Sequence, residues 1–412
     1  MSLEYFIAKR IHFQQGRKNV SRPAVRIAIL AMSLGIVVML IAVSVVLGFK
    51  QEIRNKVMGF SGAVRITNFD SNNTFETHPI VDTLQFIQKI KRIPEVVEVF
   101  PYATKPGIIK TNEAFQGIVL KGIGNDYNLD FLSGCITQGT LLHITDTLNN
   151  HVILSEHISK LLNLKLNDSF FAYFFGERIR ARKFTITGIY ATNFIELDKT
   201  FIFADIRHVQ HLNNWSTNQY SGFEVLINDH KQAQSVAYAI DSIDINAEQA
   251  GGKNYFVQTV NELYPQMFGW LDLLDLNVWV ILMLMMAVAG FNMISGIMIL
   301  ILERTNMIGI LKSMGAANTS IRTIFMYYAV ILLTRGMLWG NVVGLSVCAI
   351  QYYFQIVPLN AEAYFMPYVP VLFDWTFIVL LNLGVFVTSV LMMLLPSYLI
   401  ANISPAKTIR YE

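Results

Sequence analysis

Four long apolar segments constrain this chain more than any other feature of its sequence. They are predicted to span residues 27–48, 271–302, 321–354 and 373–400, and each exceeds the ~20 residues that an α-helix needs to cross a bilayer. The first is not a cleavable signal peptide, because its apolar run is too long and starts only after the amphipathic residues 1–26. The sequence therefore predicts a polytopic α-helical membrane protein with four transmembrane helices.

Composition agrees with a membrane protein and excludes two other classes. Of the 412 residues, 53% are hydrophobic and only 15% are charged, which is outside the usual range of soluble domains. The net charge is +3, and no basic run is interleaved with aromatic residues, so nucleic acid is not expected as a partner. Cys135 and Cys348 lie far apart, and two such cysteines exclude a disulfide framework.

Lysine and arginine residues near the membrane ends predict which side each segment faces. They are concentrated in residues 1–26, in the loop 303–320 and in the tail 401–412, whereas the loop 355–372 contains none. We therefore expect both termini and the loop 303–320 in the cytoplasm. The segment 49–270 is then expected outside, since long domains translocate largely regardless of their charge.

The segment 49–270 alternates strand and helix signals, which predicts a large α+β domain between the first and second transmembrane helices. The grouping of these signals indicates two lobes, one inserted in the other. One helix is predicted to begin at Ile80, and another at Thr259, which continues into the second span with Pro265 as the site of a kink. Residues 5–11 carry an apolar face and a basic end, which favours an interfacial helix over a frayed tail.

The loop 303–320 is predicted to contain a short amphipathic helix. Four apolar residues recur at the spacing of one helix face, namely Met307, Ile310, Leu311 and Met314. Thr305 or Asn306 is placed to cap its start, and Gly315 to end it in a left-handed conformation. A helix of about nine residues is marginal alone in water. It therefore needs a surface to pack on, either a partner protein or the lipid interface.

No catalytic, cofactor-binding or metal-binding residue is expected on this chain. The nearest sequence to an ATP-binding loop, residues 251–254, lacks both the spacing and the hydroxyl residue of that motif. Asp205, His208 and His211 share one helix face, which favours a solvated face over a metal site. The run from Ser155 to His157 favours a cap between a strand and a helix, because a nucleophile and its base usually meet across the fold.

Two features of the third span predict specific contacts inside the membrane. Gly336, Gly340 and Gly344 form a stripe of small residues, which lets another helix approach closely, either in this chain or in a second copy. Arg335 lies in the same span, where a charge is costly and indicates a functional site. The alternative, weighed equally, is a structural arginine bound by polar groups of the second span such as Asn292 or Ser295.

Several short motifs, in order along the chain, resemble those of the FtsX-like or MacB-type permeases of ABC transporters, and most of all those of the lipoprotein-releasing (Lol) branch. They are SVVLGFK at residues 44–50, GFSG at 59–62, VVEVFPY at 96–102, LKGI at 120–123, ERTNMIGILKSMGA at 303–316, YFMPYVPV at 364–371 and SPAKTIRYE at 404–412.

This resemblance implies an inner-membrane permease that is not itself an enzyme and acts with a separate ABC ATPase. The ATPase binds ATP and magnesium, so no cofactor is expected on this chain. The resemblance also implies a second permease copy or a paralogue, and it implies that residues 306–314 dock on the ATPase, with Asn306, Met307, Ile310, Leu311 and Met314 as the coupling residues. For the Lol branch it implies a lipoprotein substrate that leaves the inner membrane on the periplasmic side and passes to a periplasmic carrier.

Three positions differ from the family pattern. Met307 stands where the family usually has an acidic residue, and Arg335 stands in a span that usually has an acidic residue near Tyr328 instead. The turn at residues 174–178 is short where the carrier-binding subunit has a long hairpin. The alternative functions are export of a peptide or amphiphile, as by MacB-type exporters, and mechanical signalling to an external hydrolase without transport.

Overall fold

The computed structural model describes residues 3–13, 21–69, 75, 78–81, 84–111, 114–176, 178–244 and 255–397. The predictions for the tail 401–412, for residues 251–254 and for residues 14–20 of the N-terminal segment fall outside these ranges. The chain forms two compact units. The membrane unit comprises Met1–Lys50, Trp270–Val357 and Val369–Glu412, and the sheet unit comprises Gln51–Gly269 and Pro358–Tyr368.

The helices of the described chain, in order, are α1 (Leu3–Phe13), α2 (Ser21–Ser61), α3 (Leu84–Ile90), α4 (Asp130–Ser133), α5 (Glu156–Leu162), α6 (Ile195–Asp198), α7 (Ile206–Asn213), α8 (Ala233–Asp244), α9 (Val260–Leu263), α10 (Pro265–Glu303), α11 (Thr305–Ser313), α12 (Asn318–Phe354), α13 (Ala361–Tyr364) and α14 (Trp375–Ser397). The strands are β1 (Val64–Asn68), β2 (Ile80–Val81), β3 (Val96–Lys110), β4 (Phe115–Ile123), β5 (Ile136–Gly139), β6 (His151–Ser155), β7 (Ser169–Phe174), β8 (Arg180–Tyr190), β9 (Phe201–Asp205), β10 (Gln219–Tyr220), β11 (Gly222–Ile227) and β12 (Tyr255–Thr259).

Four helices are long and apolar enough to cross a membrane, which confirms the predicted class of fold. The described segments with this property are Arg26–Ser61, Pro265–Glu303, Asn318–Phe354 and Trp375–Leu394. Three of them have 36 to 39 residues, nearly twice the ~20 that a bilayer requires. These three helices therefore continue well beyond the hydrocarbon region at one or both ends.

The membrane unit has one apolar core to which α1, α2, α10, α11, α12 and α14 all contribute. Met39 of α2, Met293 of α10, Phe325 of α12 and Met393 of α14 are among its buried members. The predicted N-terminal helix is present as α1, which packs on α12. Its Ala8 is buried in the same core, so the apolar face of α1 packs against other helices of the chain. The contact of α1 with lipid stays a prediction.

The sheet unit is built around a closed ring of six strands. Strand β3 pairs with β4 and β7, β4 with β9, β9 with β6, β6 with β8, and β8 with β7. Closing the ring leaves its paired strands without a free edge. The interior is filled by apolar side chains such as Leu120, Phe174, Phe184 and Ile202.

A second lobe of the sheet unit continues from the ring. Strands β11, β1 and β12 extend the sheet from β3, and α3 and α8 cover it through a separate apolar core that includes Phe86, Val225 and Ile240. The ring is contributed mainly by the chain between β3 and α7, whereas the second lobe takes strands from both sides of that stretch. The expectation of two lobes, one inserted in the other, is confirmed.

Two predicted helix starts are wrong. Ile80 begins β2 and pairs with Tyr220 of β10, and helix α3 starts only at Leu84. The helix predicted to run from Thr259 into the second span is interrupted: Thr259 caps α9, which ends at Leu263, and α10 begins at Pro265. Proline disfavours a helical conformation in the residue before it but is well suited to a first helical position. The chain therefore has a break between α9 and α10 where a kink at Pro265 was expected.

Candidate functional site: the coupling helix and the glycine stripe

Helix α11 follows α10 after a single residue, Arg304, which occupies the N-cap position without a side-chain capping bond. The predicted cap by Thr305 or Asn306 is therefore wrong; the Thr305 hydroxyl instead donates to the Leu302 carbonyl at 3.0 Å. The predicted end is confirmed, because Gly315 has a φ of +91°. The N–H of Ala316 donates to the Leu311 carbonyl at 3.0 Å, the bond that closes a Schellman motif.

The structure divides the predicted amphipathic face of α11. Ile308 is fully buried in the membrane-unit core, and Met307 and Leu311 are partly buried against it. In contrast, Ile310 and Met314 are 54% and 78% exposed. The apolar residues therefore form two stripes, of which one packs on the chain itself and the other does not.

We call the outward stripe the coupling surface, defined as Asn306, Ile310 and Met314, all of which are exposed. These positions are four residues apart and so lie above one another on the helix. Ile310 on the helix and Met314 at its C-cap resemble the apolar anchors of a helix that docks in a groove. Sequence spacing alone could not separate this stripe from Met307 and Leu311, because the burial of Ile308 is set by the tertiary packing of α11.

The glycine stripe of α12 lies against α2 of the same chain. A methyl group added at Gly336, Gly340 or Gly344 would come within 3.0, 2.8 and 3.0 Å of side-chain atoms of Met32, Ile36 and Leu40, respectively. At Gly340 this distance leaves no room for a Cβ atom, and at Gly336 and Gly344 the neighbouring side chain would have to move by a few tenths of an ångström. The glycines of α12 therefore accept side chains of α2 and let the two helices approach closely, as expected where lipid provides no hydrophobic drive for association.

Arg335 lies on a different side of α12 from the stripe. Its side chain is exposed, and with Thr334, Leu338 and Trp339 it borders a hollow of about 180 Å³. A cation in the middle of a spanning helix is costly to insert, by ~2.5–3.5 kcal/mol. The choice between a functional role and a bond to Asn292 or Ser295 stays open, and both remain predictions.

Two polar contacts inside the membrane unit were not predicted. Asn341 of α12 and Asn382 of α14 exchange two amide hydrogen bonds of 2.6 and 2.9 Å. Lys50 of α2 forms an ion pair with Asp275 of α10. Asn341 and Asn382 are polar residues within apolar runs, and Lys50 and Asp275 lie at the ends of such runs. These positions signal a polar contact, but each partner is distant in sequence.

The polar residues weighed for chemistry serve structural roles in the sheet unit. The Ser155 hydroxyl caps α5 by accepting from Ile158 N–H at 3.1 Å, as predicted. Asp205 caps α7 by accepting from Arg207 N–H at 2.9 Å, and His208 is buried with Nε2 at 2.6 Å from the Asn149 carbonyl oxygen. The expectation of a solvated face is wrong for Asp205 and His208. Within the described ranges, no group of three histidine, cysteine or acidic residues is placed to hold a metal.

Asp198 is the acidic residue of the described sheet unit whose pKa is shifted most by its surroundings. It is buried, and its Oδ1 accepts from the Thr192 hydroxyl at 2.7 Å. Burial raises the pKa of this carboxyl to about 6, although the bonds from Thr192 oppose the rise. Asp198 is therefore partly protonated in mildly acidic solution, unlike an ordinary aspartate.

The fold defines a class: a multi-pass membrane protein with a large domain between its first and second spans and a short helix after the second. Comparison with family profiles gives the family. The MacB-like periplasmic core domain matches residues 27–243, more than half of the chain, and the FtsX-like permease C-terminal domain matches residues 279–405. The chain belongs to this family of FtsX-like, MacB-type permeases of ABC transporters.

Relatives named as lipoprotein-releasing transmembrane proteins match along almost the whole chain. The lipoprotein-releasing system transmembrane protein LolC of Xylella fastidiosa is 20% identical, with 93% of each chain covered. LolE of Haemophilus influenzae is 18% identical, with 99% of each chain covered. Among solved structures, the periplasmic region of MacB from Actinobacillus actinomycetemcomitans is 18% identical and covers 50% of this chain and 92% of its own, with a TM-score of 0.34.

Proposed function

We propose that this chain is the permease subunit of an ABC transporter that releases lipoproteins from the bacterial inner membrane on the periplasmic side. The observation that carries the proposal is the extent of the match: relatives named for lipoprotein release align over 93% or more of both chains. The match thus includes the membrane helices, the sheet unit and the segment between the second and third spans.

Energy for release comes, in this proposal, from a separate ABC ATPase that binds ATP and magnesium. The coupling surface supports this part, because Ile310 and Met314 are exposed apolar residues of a short helix. The lysine and arginine residues beside this helix favour a cytoplasmic location, where the ATPase would meet it. Both termini are then cytoplasmic and the sheet unit is periplasmic.

A second permease copy or a paralogue completes the proposed transporter, and a periplasmic carrier receives the lipoprotein. The glycine stripe is engaged by α2 of the same chain, so the second permease would use another surface. The short turn between Phe174 of β7 and Arg180 of β8 favours a carrier contact that does not depend on a long hairpin there.

The second candidate function is export of a peptide or amphiphile. It is favoured by the match of residues 27–243 to the MacB-like periplasmic core domain. A permease that only relays ATPase motion to an external hydrolase is a third candidate. A sheet unit of about 220 residues (Gln51–Gly269) favours the two transport functions over this third one.

Depletion of the protein in its native cells distinguishes these functions. We expect lipoproteins destined for the outer membrane to accumulate in the inner membrane, as measured by membrane fractionation and mass spectrometry. Expression of the wild-type chain should restore sorting, whereas a chain carrying Ile310→Asp and Met314→Asp should not. Correct lipoprotein sorting in depleted cells would contradict the proposed function and favour export or signalling.

A further inference from the structure

The sheet unit contains a pocket that the proposed function does not use. Its volume is about 660 Å³, within the ~300–1,000 Å³ typical of small-molecule sites. Three charged residues line it, namely Arg65, Lys121 and Glu224. Phenylalanine side chains form much of the remaining wall, namely Phe69, Phe75, Phe201 and Phe256. The pocket thus combines a charged cluster with four aromatic side chains.

The Glu224 carboxylate already accepts hydrogen bonds from two neighbours. Lys121 Nζ donates to both of its oxygens, at 2.8 and 2.9 Å, and the Tyr127 hydroxyl donates to Oε2 at 2.7 Å. Lys121 is saturated in turn, since Nζ also donates to the Phe60 carbonyl at 2.7 Å and to the Tyr127 oxygen at 3.0 Å. An ammonium group has three donors, so Lys121 has no donor left for a ligand.

Arg65 is the cation without a carboxylate of its own. Its guanidinium Nη2 lies 3.6 Å from Glu224 Oε1, beyond hydrogen-bond distance. Its Nε is buried and has no hydrogen-bond partner among the described residues. The guanidinium carbon lies 5.4 Å from the centre of the Tyr102 ring, and the side chain is 16% exposed. Two cations therefore share one carboxylate, and the uncompensated charge is that of Arg65.

The other carboxylate at the pocket does not neutralise Arg65. Glu262 is exposed, and its Oε2 accepts from the Thr259 N–H at 2.8 Å in the capping box of α9. The state of Lys121 agrees with an excess of positive charge: burial lowers its pKa to about 8, and although Glu224 opposes this, the charge of Arg65 lowers the pKa further. An anion bound at Arg65 would compensate the charge of Arg65 and so raise the pKa of Lys121.

The aromatic part of the pocket favours an apolar group beside that anion. Phe69 and Phe75 are exposed even though each has an edge-to-face partner, Phe256 and Phe201, at 6.1 and 5.5 Å between ring centres. Exposed aromatic side chains that converge on one concave surface mark a binding site more often than a random distribution of apolar residues does.

We propose that this pocket binds an anionic amphiphile, with its carboxylate or phosphate group on Arg65 and its hydrocarbon chain against the phenylalanine wall. Arginine is suited to both head groups because its planar fork donates two parallel hydrogen bonds. The proposal does not rest on lipoprotein release, since each candidate function is compatible with an amphiphile site in the sheet unit. It requires only the geometry of residues within that unit.

Photolabelling of the full-length protein in phosphatidylcholine nanodiscs tests the proposal. The probe is decanoic acid carrying a diazirine on its chain, and mass spectrometry locates the labelled peptides. We expect labelling of the peptides that contain Phe69, Phe201 and Phe256. Decanoate and decyl phosphate should both compete, and the stronger competitor identifies the preferred head group, whereas decanol and decyltrimethylammonium should compete at least about tenfold less, the loss expected when one charge-assisted hydrogen bond is missing.

Variants separate the roles of the head group and the chain. Arg65→Gln should lower labelling about tenfold and abolish the advantage of decanoate over decanol. Phe256→Ala, at the partly exposed rim, should weaken binding of all amphiphiles and keep that advantage. Arg182→Gln, an exposed arginine of β8 outside the pocket, is the matched control and should label as the wild type does.

Three results would overturn the proposal: equal competition by decanol and decanoate, unchanged labelling of Arg65→Gln, or labelling confined to the spanning helices. If Arg65→Gln fails to fold, the competition series on the wild type and the Phe256→Ala variant still decide the question. Loss of lipoprotein sorting in vivo has no bearing on this result, so failure of the pocket and failure of the proposed function are distinguishable.

Discussion

The glycine stripe and the coupling helix are neighbours in sequence but differ in what they contact. The stripe is closed against α2, with no space for a Cβ atom at Gly340. Helix α11 buries Ile308 and leaves Ile310 and Met314 exposed. In this permease one packing motif is thus completed within the chain, while the short helix that precedes α12 keeps an exposed apolar surface. Substitutions in the stripe should therefore affect folding, and those on the coupling surface should affect assembly.

The largest effect is expected from Gly340→Ile. The new side chain would meet Cβ of Ile36 at 2.8 Å and the Ser33 carbonyl oxygen at 3.0 Å, and overpacking of this kind costs ~1–3 kcal/mol or more. We expect much less folded protein in membranes and a lower unfolding temperature in detergent. Gly384→Ile in α14 is the control, because nothing lies within 4 Å of a methyl group there. Equal tolerance of both substitutions would show that α2 and α12 are not closely packed.

The next effect separates the two sides of α11. Ile310→Asp with Met314→Asp should leave the unfolding temperature almost unchanged but lower co-purification of the ABC ATPase at least about tenfold, as loss of ~2 kcal/mol at an interface anchor implies. Ile308→Asp should instead destabilise the permease itself, because this side chain is fully buried. ATPase co-purification that survives the double substitution would place the contact elsewhere.

Titration of Asp198, which lies outside both the glycine stripe and α11, should make the stability of the protein depend on pH. The pKa of Asp198 rises from 3.8 to about 6 on folding because the carboxyl is buried, so the folded state holds the proton more tightly than the unfolded state. This contribution is fully present below the unfolded pKa and is lost as pH rises through about 6, amounting to ~3 kcal/mol. Thermal unfolding at pH 4 to 8 should show this decline for the wild type and a flatter profile for Asp198→Asn. Identical profiles would contradict the raised pKa.

The smallest effect concerns the Asn341–Asn382 pair, the polar counterpart of the glycine stripe on α12. Asn341→Leu alone should destabilise the protein by ~0.6–1.7 kcal/mol, the range measured for hydrogen bonds between membrane helices. Replacing both residues by leucine should recover most of the loss, because no amide is then left unsatisfied. Chemical unfolding in detergent micelles measures the free energy of unfolding of the single and the double variant. A double variant less stable than the single would mean that the pair contributes more than its two bonds.

Local signals explain what the sequence could predict. The spans, the helix at Glu156–Leu162 and the left-handed Gly315 follow from apolar length, helix spacing and the permissiveness of glycine. The failures are nonlocal: Ile80 enters a strand because Tyr220 pairs with it, and Arg65, Lys121 and Glu224 meet only when distant strands join. The division of the α11 face likewise required the packing of Ile308, which periodicity does not reveal.

We propose that the exposed side of α11 contacts a separate ATPase. Cross-linking in living cells tests this contact directly. A photoreactive benzoylphenylalanine would replace Ile310 or Met314, with Leu338 as an exposed control in the third span. We expect Ile310 and Met314 each to cross-link to an ABC ATPase and Leu338 not to do so. Cross-links from Ile310 and Met314 to lipid alone, or equal ATPase cross-linking from all three positions, would contradict it.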